Sequence, residues 1–204
     1  MAKNNMIITK KTWEELRQNQ AELGELIMLN RQKSEPDSEP DFLWVSLFNA
    51  ERLKLCLLVE AGELANEIKS FKAWRKKQKV DWDKVKEELI DCLCFFLDLS
   101  NLFQVELVDF SFPTGQQELH FNKLLLDFFV KTNDLSVLEK EELYNSEKIK
   151  ITNQKTYQEW LETFQVLCAK LAINEPELKA IYLRKHEKNK LRAEEKDKFS
   201  VKGK

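Results

Sequence analysis

The stretch LLVEAGELANEIKSF, residues 57–71, decides the fold prediction. Its apolar residues recur every three or four positions, which is typical of the buried face of an α-helix. Three glutamates, Glu60, Glu63 and Glu67, run beside that apolar face. Like charges one turn apart on a helix repel each other. The segment therefore predicts a helix whose acidic edge needs a positive partner.

A second acidic pair lies in KEELIDCLCFFLDLSN, residues 86–101. Glu88 and Asp91 are three positions apart, as Glu60 and Glu63 are, so each pair projects from one face of its helix. If the two helices pack antiparallel, four carboxylates converge, and a cluster of that kind is costly without a counter-charge. Mg²⁺ takes oxygen ligands and joins carboxylates to substrate phosphates. The spacing is equally consistent with a magnesium site and with ordinary solvent-exposed acidic faces.

The composition predicts an all-α helical bundle. Four glycines and four prolines are few for 204 residues, and no segment alternates cleanly between apolar and polar residues. We expect a single domain over residues 1–204, with a linker near 33–41 and a flexible C-terminal tail near 196–204. Thr12 and Asp81 are the expected N-caps of two helices. The expected helices span residues 13–29, 42–54, 55–73, 82–103, 119–132, 135–144, 156–171 and 177–195, and those at 42–54 and 55–73 are either separate or continuous.

Several classes of protein are disfavoured by the same composition. A net charge of -2 gives no sign of a nucleic-acid binder. The four cysteines form no Cys-x-x-Cys pair and only two histidines occur, so a zinc site is not expected. No run of apolar residues is long enough to span a membrane or to form the core of a signal peptide. We expect a cytoplasmic protein with reduced, buried thiols and no membrane partner.

The two acidic motifs resemble the signature of the all-α NTP pyrophosphatases, a superfamily that includes MazG-like enzymes and the dimeric dUTPases. The dimeric dUTPases are the more similar group, because further segments resemble theirs in the same order: QAELGELI at 20–27, EAGELANEIKSFKAWRKK at 60–77, EELIDCLCFFLDLSN at 87–101 and YLRKHEKNKLR at 182–192. The chain departs from that family in RAEEKDKF, residues 192–199, where the family usually has Gln and then Gly-Tyr. This departure leaves the substrate range open.

The resemblance implies a Mg²⁺-dependent dUTP diphosphatase, a homodimer that hydrolyses dUTP to dUMP and pyrophosphate. Two alternatives stay open: a MazG-like pyrophosphohydrolase for dCTP or non-canonical nucleotides, and a non-catalytic helical module that binds proteins. The implied metal ligands and catalytic residues are Glu60, Glu63, Glu88 and Asp91, with Glu60 orienting or deprotonating the attacking water. The implied phosphate-binding residues are Lys72, Arg75, Lys76, Lys185, Asn189 and Arg192. Those implied for the base and sugar are Gln20, Asn66, Trp74 and Asn101.

Overall fold

A computed structural model describes residues 6–34, 49–74, 79–113, 115–135 and 147–200, and the side chains of these ranges except at 147–153 and 195–200. Within them the chain forms α-helices, one short 3-10 helix at Gln116–Glu118 and no strand, which confirms the all-α prediction. The helices are α1 (Lys10–Ser34), α2 (Ala50–Ile68), α3 (Trp82–Leu102), α4 (Phe121–Asp134), α5 (Glu147–Lys170) and α6 (Glu175–Ser200).

The first helix begins earlier than its sequence pattern predicts. The Thr9 hydroxyl accepts a hydrogen bond from the Thr12 amide at 3.2 Å, so Thr9 caps α1 and the prediction that Thr12 does so is wrong. Thr9 is itself fixed by Glu175 at the start of α6, whose carboxylate accepts from the Thr9 amide at 2.9 Å and hydroxyl at 2.7 Å. A contact between distant parts of the chain therefore sets this helix end.

Helices α2 and α3 pack against each other and carry the acidic motifs. Asn49 caps α2: its side-chain oxygen accepts a hydrogen bond from an amide in the first turn at 2.9 Å. Asp81 caps α3 in the same way at 3.2 Å, which confirms the prediction made for Asp81. α2 ends at Lys69, whose φ of 60° lies in the left-handed region that stops a helix. Both helices have buried apolar faces: Leu57, Ala61, Leu64 and Ile68 on α2, and Leu89, Leu93, Phe96 and Leu97 on α3.

The core beyond α3 is built on aromatic rings. Trp160 of α5 stacks on Phe96 of α3 with ring centroids 3.8 Å apart, and it also contacts Phe128 of α4 at 5.1 Å. The indole N–H of Trp160 donates to the Thr132 hydroxyl at 3.0 Å, so its one polar atom is satisfied although the side chain is fully buried. These contacts fix α3, α4 and α5 relative to one another.

A buried amide on α5 fastens two irregular segments to the core. The Gln165 side-chain oxygen accepts from the amides of Ile7 and Ile8 at 2.8 and 3.1 Å. Its nitrogen donates to the Phe110 carbonyl oxygen at 2.7 Å. Gln165 is fully buried, so these bonds satisfy backbone groups that water does not reach.

Helix α6 lies along α1 and α3 and is held there by ion pairs as well as by buried apolar residues. Lys179 contacts Glu15 of α1 at 2.7 Å. Glu177 and Arg184 contact Lys86 and Glu87 of α3 at 2.6 and 2.8 Å. These contacts fix the part of α6 that lies beside the acidic helices.

Some predicted features lie wholly or largely outside the described residues. They are most of the linker at 33–41, the first half of the helix at 42–54, nearly all of the helix at 135–144 and the end of the C-terminal tail. Helix α6 extends to Ser200, further than the predicted 195. Where the chain is described, no helix combines the length and apolar character needed to cross a membrane.

Candidate metal centre

Three carboxylates from α2 and α3 meet beside the apolar interface of these helices. Each of Glu60, Glu88 and Asp91 offers one oxygen that lies within 4.8 Å of the oxygens of the other two. Glu88 is buried, and Glu60 and Asp91 are half-buried. They reach one point because Glu88 and Asp91 lie one turn apart on α3, and α2 places Glu60 opposite them. We call these three residues the acidic cluster.

The acidic cluster is electrostatically unfavourable as it stands. Burial, together with the charges of Asp91, Glu63 and Glu88, raises the pKa of Glu60 to about 7. Burial and neighbouring carboxylates also raise the pKa values of Glu88 and Asp91. A site that holds negative charge against this cost has a strong preference for a cation.

One ammonium group lies against the acidic cluster. Lys185 of α6 is in direct contact with Asp91 through its Nζ and the Asp91 Oδ2, and only 17% of the lysine side chain is exposed. Its charge lowers the pKa values of all three carboxyl groups, against the larger effect of burial. Among the described residues, the charge of Lys84 also lowers the pKa of Glu88, by less than that of Lys185 does.

The donor set fits a hard divalent cation. Carboxylate oxygens are the ligands that Mg²⁺ prefers. The sulfur atoms on the same helix do not compete, because burial raises the pKa values of Cys92 and Cys94 well above their usual range and keeps both thiols protonated. Glu60, Glu88 and Asp91 would hold the ion, leaving further coordination positions for water or phosphate oxygens.

Glu63, the fourth predicted ligand, is exposed and lies outside this group of three. It is one turn after Glu60 on α2, and its charge raises the pKa values of all three cluster carboxyls, so it lies near them. A role for Glu63 as a ligand stays a prediction.

The residues predicted to bind phosphate are divided between α6 and the segment after α2. Asn189 and Arg192 follow Lys185 by one and two turns on α6, and the Arg192 guanidinium donates to the Asn189 side-chain oxygen at 3.4 Å. Lys72 is half-buried, with its Nζ 5.3 Å from the Phe71 ring centroid. Arg75 and Lys76 lie outside the described residues. A phosphate contact by any of these residues stays a prediction.

Gln20, predicted to bind the base, is buried in a hydrogen-bond network between α1, α3 and α6. Its amide nitrogen donates to Asp98 at 3.1 Å, and its oxygen accepts from the Tyr182 hydroxyl at 3.1 Å. Burial raises the pKa of Asp98 to about 7. Asp98 lies two turns beyond Asp91 on α3, and that spacing is the sequence signal for it. No pattern in the sequence pointed to the contact made by Tyr182.

The other predicted base and sugar residues have different surroundings. Asn101 is occupied by α1: its side-chain oxygen accepts from Arg17 Nε at 2.8 Å, and its nitrogen donates to the Arg17 carbonyl oxygen at 3.0 Å. Trp74 is 73% exposed and contacts Phe71 edge-on, while Asn66 is exposed on α2. The structure thus brings together Glu60, Glu88, Asp91 and Lys185, and it uses Asn101 to join α1 to the end of α3.

The arrangement can hold a divalent cation between two helices and can supply a lysine from a third. That combination suits a polyanionic substrate, since the ion and the ammonium both attract phosphate oxygens.

Comparison with known families agrees with this chemistry. A family model described as dUTPase matches residues 12–196. The matched range includes the acidic cluster, Lys185 and the residues of the Gln20 network. The comparison with curated proteins gives no significant match. Because the match covers nearly the whole chain and the described residues form helices and no strand, the chain belongs to the all-α dUTPase family.

Proposed function

We propose that this protein is a Mg²⁺-dependent dUTP diphosphatase, which attacks dUTP with water and releases dUMP and pyrophosphate. Membership of the dUTPase family supports a dUTP diphosphatase-type activity. The observation that supports the metal dependence is the convergence of Glu60, Glu88 and Asp91 within 4.8 Å of one another. A bound Mg²⁺ would lower the pKa of a coordinated water and neutralise phosphate oxygens.

The chain's own residues would perform the remaining steps. Glu60, one of the three carboxylates of the cluster, would orient the attacking water and accept its proton. Lys185, Asn189 and Arg192 lie on one helix and would contact the phosphates, stabilising the charge that moves onto the leaving pyrophosphate. Each of these roles depends on positioning, which accounts for much of the rate of phosphoryl chemistry.

Gln20 keeps some hydrogen-bonding capacity for a base. A primary amide has two N–H donors and two acceptor lone pairs, and the network with Asp98 and Tyr182 uses one of each. The remaining donor and acceptor suit the edge of uracil. A site of this kind rejects cytosine because the mismatched groups would stay unpaired.

We also propose a homodimer. Leu55 and Val59, one turn apart on α2, are 61% and 51% exposed, and exposed apolar surface of this kind marks interaction sites. A second copy of the chain is the proposed occupant. Light scattering coupled to gel filtration should give a dimer mass, and Leu55→Glu should shift that mass towards the monomer. A monomeric wild-type protein would contradict the proposal.

The activity is tested by incubating the protein with each of the four common deoxynucleoside triphosphates and dUTP, with Mg²⁺, and measuring pyrophosphate. We expect a strong preference for dUTP, loss of turnover in EDTA, and loss of turnover in Asp91→Asn. Glu87→Gln is the matched control, because Glu87 is on the same helix but pairs with Arg184 outside the acidic cluster. Equal turnover of dCTP would indicate a MazG-like enzyme, and no turnover of any nucleotide would favour a binding module.

A further inference from the structure

The contact between Lys185 and Asp91 has a consequence for the metal site. Lys185 is the ammonium in contact with the acidic cluster, and its Nζ meets Oδ2 of Asp91, a residue of the donor set. Lysine and a divalent cation are therefore alternative counter-charges for the same carboxylates. A carboxylate oxygen in close contact with an ammonium is not free to ligate a metal in the same geometry.

We infer that Lys185 holds the acidic cluster in the metal-free protein, and that a divalent ion displaces it and frees its ammonium for substrate. This inference rests on the proposed function, because the ion it invokes is the Mg²⁺ of that function. Lys185 then links two binding events: it leaves Asp91 when the metal enters, and its charge becomes available to a phosphate. Metal binding would in this way favour nucleotide binding.

The position of Lys185 in the fold supports an exchange of this kind. Its backbone is fixed, because Tyr182 and His186, on either side of it in α6, hydrogen-bond to α1. The Tyr182 hydroxyl shares its one proton between the Leu16 carbonyl oxygen at 3.2 Å and the Gln20 side-chain oxygen at 3.1 Å. The His186 ring contacts the Asn19 carbonyl oxygen at 2.9 Å. The lysine side chain has four rotatable bonds and only its tip meets the cluster, so it can swing away without moving α6.

The first test is metal affinity, which does not depend on turnover. Isothermal titration with MgCl₂, and with MnCl₂ as a tighter-binding probe, should show that Lys185→Met binds the ion about tenfold more tightly than wild type, because a competing positive charge is gone. The rise in Tm on adding Mg²⁺ should also be larger in the variant. Lys179→Met is the matched control: it removes the same charge from the same helix, but Lys179 pairs with Glu15 of α1.

The second test uses the wild-type protein, so it holds even if Lys185→Met folds poorly. Acetylation with an amine-reactive reagent, quantified residue by residue by mass spectrometry, should rise severalfold at Lys185 on going from EDTA to saturating Mg²⁺. Acetylation at Lys179 should not change.

The outcomes separate this inference from the proposed function. If the wild type binds Mg²⁺ while Lys185 labelling stays the same or falls, or if Lys185→Met binds no more tightly, the inference is overturned and the proposed function stands. If the wild type binds no divalent ion, both are overturned. If Lys185 is released by Mg²⁺ but no nucleotide is hydrolysed, only the proposed function fails.

Discussion

Two of the places where the protein buries polar groups, the surroundings of Gln165 and the acidic cluster, differ in how those groups are satisfied. Gln165 is fully buried, and its amide satisfies two backbone N–H groups and one carbonyl group. The acidic cluster gathers three carboxylates around one lysine, and burial raises their pKa values. A satisfied network stabilises the fold. A cluster of like charges that lacks enough counter-charge costs stability, and that cost indicates a site that binds a ligand.

The largest effect is expected for Glu60→Gln, which keeps the size of the side chain and removes its charge. We expect turnover to fall by about a thousandfold, which corresponds to about 4 kcal/mol of transition-state stabilisation. In EDTA at pH 8, however, the same variant should be as stable as wild type or more so, because one repelling charge is gone. Pyrophosphate release and thermal unfolding would measure the two effects.

A Glu60→Gln protein less stable than wild type would contradict the view that the acidic cluster costs stability, since it would show that the cluster contributes to the fold. Glu87→Gln, which removes a charge that pairs with Arg184 outside the cluster, should change turnover only slightly.

The next largest effect is expected for Gln165→Leu, and it should appear in stability alone. The variant leaves the amides of Ile7 and Ile8 and the carbonyl of Phe110 without their partner, so we expect a loss of about 3 kcal/mol in the free energy of unfolding. Turnover per folded molecule should be close to that of wild type. Urea unfolding followed by tryptophan fluorescence would give the stability.

Gln158→Leu is the control for this variant. Gln158 lies two turns before Gln165 on α5 and also bonds to backbone, that of Asp109, but it is half-exposed and water can replace its contacts. An equal loss of stability in the two variants would contradict the importance given to burial at Gln165.

The pH dependence of stability gives a smaller effect, because solvent screens the half-buried Glu60. The pKa values of Glu60 and Asp98 are about 7 in the folded chain, against ordinary values of 4.5 and 3.8. A carboxyl with a raised folded pKa binds its proton more tightly when folded, so it contributes stability that is fully present below its ordinary pKa. That contribution is lost as the pH rises through about 7.

We therefore expect the Tm of the metal-free protein to fall between pH 5 and pH 8, and the fall to be smaller in both Glu60→Gln and Asp98→Asn. Saturating Mg²⁺ should remove the part that depends on Glu60 and keep the part that depends on Asp98. A Tm that rises over this pH range in EDTA would contradict the electrostatics of both sites.

The sequence predicts the acidic helices better than it predicts the surroundings of the site. Glu88 and Asp91 repeat the spacing of Glu60 and Glu63, and helical periodicity predicts the convergence of Glu60, Glu88 and Asp91, whereas Glu63 is exposed. The contact of Lys185 with Asp91 depends on how α6 lies across α3, and no local pattern encodes it. Asn101 shows the same limit: its position suggests a ligand, whereas its reciprocal bonds to Arg17 come from the packing of α1.

Helix boundaries follow the same division between local and distant causes. Asp81 caps α3 as its sequence predicts, because the bond spans three residues. The start of α1 at Thr9 depends on Glu175, which is 166 residues away in sequence. Capping rules applied to neighbouring residues therefore find Asp81 and choose Thr12 in place of Thr9.

The smallest effect on stability is expected for Lys131, which forms an ion pair outside the acidic cluster. Lys131 of α4 contacts Glu159 of α5 at 2.7 Å, and both side chains are half-buried. Lys131→Met should cost about 1 kcal/mol or less, because Glu159 keeps a second partner, Lys155, at 3.7 Å and is still reached by water. Mg²⁺ should stabilise this variant as much as it stabilises wild type. Thermal unfolding with and without Mg²⁺ would therefore separate a lysine that is paired for stability from Lys185, whose removal should enlarge the response to the metal.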